Sequence, residues 1–398
     1  MTSLKVLHTS DWHLGKKLFS ASRLDEQSFF LDFLYNKIIN QKINLLIIAG
    51  DIFDVTNPPH DALKLFYEFI YRLGDIQDFT CLIITGNHDS EALFNIPKDF
   101  FKLNNCYIYN NFDLESEALE HYIPFNEKTI GVKLLPYFRN HQLLKKLQDP
   151  LNPTPEEIEK YFKSFFSNWS KPADFKILVS HHCFGPYSAA GSEQAIFLSG
   201  LDHIPLNWVT PYFDYVALGH IHKKQVLFES PPIVYTGSPY PLRFSESNNK
   251  KIAIFECDKE LNLKFEDIPL SKKLIQLKTN LKDYKNQVLD IISQAQQDKI
   301  PVYLEVIIQL DRPEVGLADE IHSLCLNTPV TLLMISPIFK QNNEKETTLS
   351  DLDQLDLNEL FINFFKEKFG DQVVPEELIQ TFQSLMEESQ NEISPNHH

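Results

Sequence analysis

Five cysteines in 398 residues are too few and too scattered to staple a fold. Cys81, Cys106, Cys183, Cys257 and Cys325 form no C-x-x-C pair. That excludes a disulfide framework and reads as reduced thiols in a cytoplasmic protein. No stretch reaches the ~18 consecutive apolar residues of a membrane span. Residues 1–6 hold neither a long apolar run nor a small-residue cleavage site, so no membrane association and no secretion are expected. Positive charge is also short. A formal net charge of −17 argues against tight electrostatic binding of nucleic acid by the isolated chain. Its distribution softens the point. Residues 341–398 carry 13 acidic and 3 basic side chains, a balance of −10, which leaves −7 for the other 340 residues. A bound pair of divalent cations would offset up to about four of those charges locally. No internal repeat is apparent.

A hydrophobic fraction of 43% with 31 phenylalanines is ample for a sizeable core, and the length suits two or three domains. Short apolar runs at 4–7, 44–48 and 81–84 read as buried strands. Between them, 23–41 and 59–73 carry apolar residues at helical spacing; Leu63, Phe66, Tyr67 and Ile70 share a face. This βαβαβ pattern predicts an α/β domain with parallel strands. Further buried strands are expected at 176–179 and 215–218. Strands at 233–235, 251–256 and 262–266 would form a second sheet. From 271 the pattern changes to a small α+β unit: a helix over 272–292, a strand over 302–309, a helix over 317–326 and a strand over 330–335. A polar linker at 341–346 leads to an acidic tail with two amphipathic helices. One carries Leu352, Leu355, Leu360, Phe361, Phe364 and Phe365, the other Leu378, Phe382 and Leu385. The domains expected are therefore 1–270, 271–340 and 341–398.

Five predicted strands end in candidate metal ligands. They are followed in turn by Asp11 and His13, by Asp51, by Asn87, His88 and Asp89, by His181 and His182, and by His220 and His222. Ligands of open α/β sheets gather at the carboxyl ends of strands, so groups far apart in sequence would converge on one rim. One such word alone reads as a turn or a satisfied polar cluster. Five in register have no ordinary packing explanation. Imidazoles with carboxylates and an amide oxygen suit Mn²⁺, Fe or Zn²⁺ better than a thiolate-seeking metal. Lys16, Lys17, Arg139, Lys223, Lys224 and Arg243 fall in or near loops by this rim. They could contact the phosphates of a nucleic acid or be solvated surface charge. Asp54 could orient ligands or stabilise the turn before Pro58-Pro59.

The ordered set D-x-H, G-D, G-N-H-D, a strand-terminal His and G-H-x-H resembles the calcineurin-like metallophosphoesterase superfamily. The words His8-Thr9-Ser10-Asp11-Trp12-His13-Leu14-Gly15, Ala49-Gly50-Asp51-Ile52-Phe53-Asp54 and Ala217-Leu218-Gly219-His220-Ile221-His222 resemble the SbcD nucleases, as does Gly237-Ser238-Pro239. The resemblance implies a two-sheet αββα sandwich with a small α+β capping domain and a helical C-terminal tail. It implies a DNA exonuclease or endonuclease for repair and recombination, holding two divalent ions, Mn²⁺ with Mg²⁺ as the alternative. Asp11, His13 and His222 would hold one ion and Asn87, His181 and His220 the other, with Asp51 between them. His182 is the fallback for His181. His88 would protonate the leaving oxygen, with Asp89 orienting it. The partners implied are DNA, a coiled-coil ABC ATPase of the SbcC type docked on the tail, and a second copy of the chain. Competing readings are another phosphoesterase of the superfamily, such as a phosphatase or a cyclic-nucleotide phosphodiesterase, and a non-catalytic scaffold.

Overall fold

Runs such as Leu45–Ala49, in which every residue is buried, have no polar face to offer solvent and must be covered on both sides. The computed structural model shows how. It describes residues 3–95, 97–112, 116–147, 153–193, 203–258 and 261–339. Two six-stranded sheets stack face to face. In the first, strands Leu4–Thr9, Leu45–Ala49, Thr80–Ile84 and Cys106–Tyr109 are parallel neighbours in that order. Lys251–Cys257 adds antiparallel beside Leu4–Thr9, and Lys264–Asp267 closes that edge. In the second, Lys128–Leu135, Phe175–Ser180, Tyr215–Leu218 and Pro232–Tyr235 are parallel, with antiparallel Glu120–Phe125 and Gln225–Glu229 at the edges.

Strand alternation divides the core into layers. Val6, Ile47, Leu82, Val132, Val179 and Ala217 fill the space between the sheets. Leu7, Ile48 and Ile83 face outward and pack under helices Leu24–Gln41 and His60–Leu73, with Leu34, Phe66 and Ile70. On the far side Leu178, Val216 and Ile233 meet Phe162 and Phe166 of helix Pro155–Ser167. That helix is capped by the Thr154 hydroxyl and has Pro155 in its first turn. The result is the αββα sandwich. Each fully buried Phe adds about 1.5–3 kcal/mol of transfer free energy.

Two expectations are corrected. The strands at 251–256 and 262–266 do not make a second sheet with 233–235. They return to the first sheet, while 233–235 sits in the second beside 215–218. The segment 272–292 is not one helix. It is a strand, Lys273–Asn280, then a helix, Tyr284–Asp298. The strand pairs in parallel with Val302–Leu310, which pairs in parallel with Val330–Phe339. Ile275 and Leu277, two residues apart, pack toward Val288 and Val306, which strand alternation allows and one helix face does not. Helix Leu317–Cys325 completes this unit. The amphipathic helices expected in the tail lie outside the described residues. No described helix is long and apolar enough to cross a membrane.

Candidate metal centre

The five ligand-bearing words leave the strands at one edge of the sandwich, three from the first sheet and two from the second. Their backbones touch. Asp11 N–H donates to the Gly50 carbonyl and His13 N–H to the Asp51 carbonyl, both at 3.0 Å. His220 N–H donates to Asp11 Oδ1 at 2.8 Å and His88 N–H to Asp51 Oδ1 at 3.0 Å. Three glycines make the approach possible. A Cβ on Gly219 would run into the Ala49 carbonyl, one on Gly86 into Asp51, and one on Gly50 into the His181 ring. Four of the candidate ligands have left-handed backbone: Asp11 (φ 54°), His13 (44°), Asp51 (50°) and His220 (90°). Such strain costs on the order of 1–3 kcal/mol per residue and persists only where the surroundings impose it.

The side chains converge. One donor atom each from Asp11, His13, Asp51 and His222 lie within 4.8 Å of one another, all buried. Asp51, His181 and His220 form a second such group, so Asp51 belongs to both. Asn87 Oδ1 joins the second at 3.2 Å from His181 Nε2 and 3.2 Å from His220 Nδ1. A third group, His13, Asp54 and His88, shares His13 with the first. The ambiguous pair separates cleanly. His181 faces the cluster, whereas His182 turns into the core against Tyr137 and Phe138. His182 Nε2 accepts the Phe138 N–H at 3.4 Å.

Ring orientation is set from behind. His181 Nδ1 lies 2.7 Å from the Ala49 carbonyl and His88 Nδ1 2.7 Å from the Asp54 carbonyl. A carbonyl only accepts, so each Nδ1 carries the hydrogen and each Nε2 is left for the site. Asp54 also stands 3.3 Å from His13 Nδ1 and accepts from Lys16 Nζ at 2.8 Å. Its side chain therefore lies at the site rather than at a remote turn.

Asp89 is a correction: its carboxylate does not orient His88. Its oxygens accept three backbone N–H groups, of Gly86 at 2.8 Å, Phe53 at 3.0 Å and Ile52 at 3.2 Å. It ties the second and third words together.

Burial pushes Asp11 and Asp89 up to about 6, helped in each by the charge of Asp51. Burial also raises Asp51, but His181, His13 and His88 outweigh it and hold that carboxyl well below the usual range. In return Asp51 lifts His181 to about 9 against its own desolvation. Two buried carboxylates thus draw protons onto neighbouring imidazoles. A divalent cation on the same atoms supplies the same compensation and displaces those protons. Buried N/O donors of this kind fit a hard or borderline divalent ion.

Of the cations expected near DNA, three are already engaged. Lys16 pairs with Asp54, Lys223 Nζ donates to Ser188 at 3.0 Å, and Arg243 Nη1 donates to the Gly191 carbonyl at 2.5 Å. Lys224 lies 4.0 Å over the Phe265 ring. Lys17 and Arg139 are exposed. Sequence reasoning missed Ser192, Glu193 and Glu246 behind His222. None belongs to a motif, and only the fold brings them there.

Residues 4–224 match the family model described as calcineurin-like phosphoesterase, and residues 271–369 match one described as the type 5 capsule protein repressor C-terminal domain. A relative from Escherichia coli (strain K12), named as the SbcD subunit of the SbcCD nuclease, is 27% identical over 401 residues, 96% of each chain. One of the same name from Bacillus subtilis (strain 168) is 26% identical over 390 residues, 96% of this chain and 97% of its own. A solved structure described as a dimetal phosphatase from Danio rerio aligns with 68% of this chain and 99% of its own, at 11% identity and a TM-score of 0.42. The first match spans more than half of the sequence and takes in all five ligand-bearing words. This chain belongs to the calcineurin-like phosphoesterase family.

Proposed function

We propose that this chain is the nuclease component of an SbcC–SbcD type complex, a metal-dependent enzyme that hydrolyses DNA phosphodiester bonds at double-strand ends or hairpins. One observation carries the reading. The likeness to two relatives named as the SbcD subunit of the SbcCD nuclease runs over 96% of this chain, far beyond the phosphoesterase match. In our reading Asp11, His13 and His222 hold one ion, Asn87, His181 and His220 the other, and Asp51 both. Its membership of both donor groups supports that last role. The ions are Mn²⁺, with Mg²⁺ as the alternative. When bound they neutralise phosphate oxygens and lower the pKa of attacking water.

The chain's own residues do the rest. His88 is the proton donor to the leaving oxygen. Its Nδ1 is engaged by the Asp54 carbonyl, so Nε2 is the atom that exchanges the proton. Asp89 acts by holding the loops. Residues 271–340 form the capping domain, and 341–398 dock a coiled-coil ABC ATPase. The working unit is a homodimer. Lys17 and Arg139, both exposed, are the first candidates for phosphate contact.

The test is a cleavage assay on linear and hairpin-ended duplexes and on phosphomonoesters, with Mn²⁺ or Mg²⁺, with and without the ATPase. Metal-dependent DNA cleavage that the ATPase stimulates is expected. Turnover of phosphomonoesters with intact DNA would replace this reading by a phosphatase.

A further inference from the structure

We propose that Ser192, oriented by Glu246, sets the tautomer of His222 and so is a positioning residue of the metal centre; this rests on the reading of His222 as a ligand. The available hydrogens decide it. Glu246 is buried, and Lys250 Nζ donates to its Oε2 at 2.6 Å. A carboxylate so paired only accepts. Ser192 Oγ lies 2.6 Å from Oε1, so the single hydroxyl hydrogen points at Glu246. The same Oγ lies 2.5 Å from His222 Nδ1. With its hydrogen committed, Oγ can only accept from the ring. Nδ1 therefore carries the ring proton and Nε2 keeps its lone pair. Nε2 is the atom 3.1 Å from His13 Nε2, beside Asp11 and Asp51.

His181 and His88 gain the same constraint from backbone carbonyls, which no substitution removes. His222 depends on a side chain. That side chain sits on a segment stitched to the ligand itself. The Glu193 carboxylate accepts the N–H groups of Ala190, Gly191, Ser192 and His222, at 2.8, 2.8, 3.0 and 2.9 Å. Glu193 thereby fastens the segment to the backbone of His222. The segment is a working part of the site, and its displacement would free the His222 ring to turn or change tautomer.

The experiment is titration of the full chain with Co²⁺, followed by calorimetry and by the visible absorption of the bound ion. The wild type is expected to bind two ions. Loss of such an outer partner typically weakens metal affinity ~10–100-fold. Ser192→Ala should weaken one ion by that factor and alter its absorption, while the other ion and the melting temperature stay as they were. Ser192→Thr keeps the hydroxyl and should restore both affinity and spectrum. Wild-type affinity and spectrum in Ser192→Ala would overturn the proposal alone. So would equal weakening of both ions with a lowered melting temperature, which marks a structural role. A wild-type chain that binds no Co²⁺ would overturn the reading of His222 as a ligand, and the proposal with it.

Discussion

The two six-stranded sheets have nearly the same plan and bring different chemistry to their shared edge. Each has a run of four parallel strands, central in the second sheet and reaching one edge in the first, and ends its ligand-bearing strands at the rim. The first sheet supplies Asp11, Asp51 and Asn87 along with His13 and His88. The second supplies imidazoles alone: His181, His220 and His222. Burial raises the Asp11 carboxyl, and the charge of Asp51 beside it adds to the rise, since buried carboxylates repel each other. Facing them across the sandwich with rings that can be neutral or cationic lets Asp51 stay ionised in the interior. His181 from the second sheet, with His13 and His88 from the first, adjusts to that charge.

The largest expected break in this arrangement is Asp51→Ala, because Asp51 is the carboxylate both donor groups share. Metal analysis should find both ions disturbed and DNA cleavage should fall to background, as chelation of the wild type should also achieve. Two ions bound normally would remove Asp51 from its shared role.

His88→Ala probes the first sheet while leaving its carboxylates in place. Both ions should remain, while DNA cleavage drops by ~10²–10⁴-fold, the range of general acid catalysis. A phosphodiester with a nitrophenolate leaving group needs little protonation and should suffer much less. Equal loss on both substrates would assign His88 to phosphate binding instead.

The second sheet offers a sharper contrast between adjacent residues. His181→Ala should lose one ion. His182→Ala should keep both and lose about 2 kcal/mol or more of stability, since it vacates core space beside Tyr137 and Phe138. A lost ion in His182→Ala would reverse the assignment.

The smallest effect separates rim from core by pH. His8 lies between the sheets, 3.1 Å from the Tyr215 hydroxyl, and burial lowers it to about 3. A depressed imidazole leaves the unfolded chain to bind the proton first. The His8 contribution to stability should therefore be flat above pH 6.5 and fall by about 1.4 kcal/mol per unit as the pH drops from there toward 3. His8→Gln cannot take that proton. The gap between its melting curve and that of the wild type should narrow toward acid. A gap independent of pH would show that His8 is not held neutral.

Much of this was legible because it is local. Apolar runs and helical spacing marked Leu45–Ala49, His60–Leu73 and Tyr215–Leu218 almost to the residue. The ligand words stood out because each follows a strand. What failed was non-local. Nothing in 251–257 says that the chain returns to pair with Leu4–Thr9. Leu274, Ile275 and Leu277 fit a helix or a strand equally, and only pairing with Val302–Leu310 decides. Asp89 follows His88 in sequence, yet its oxygens are turned to the backbone of the second word.

The glycines at the rim have a consequence for heredity. Gly50, Gly86 and Gly219 have no side chain to offer the site, yet each lies where any side chain would strike a candidate ligand or the strand end behind it. In a saturation screen for activity they should tolerate as few replacements as the histidines. Alanine, the mildest substitution elsewhere, should be harmful at all three. A lineage that kept every side chain of the donor groups could still lose the enzyme through a single methyl group.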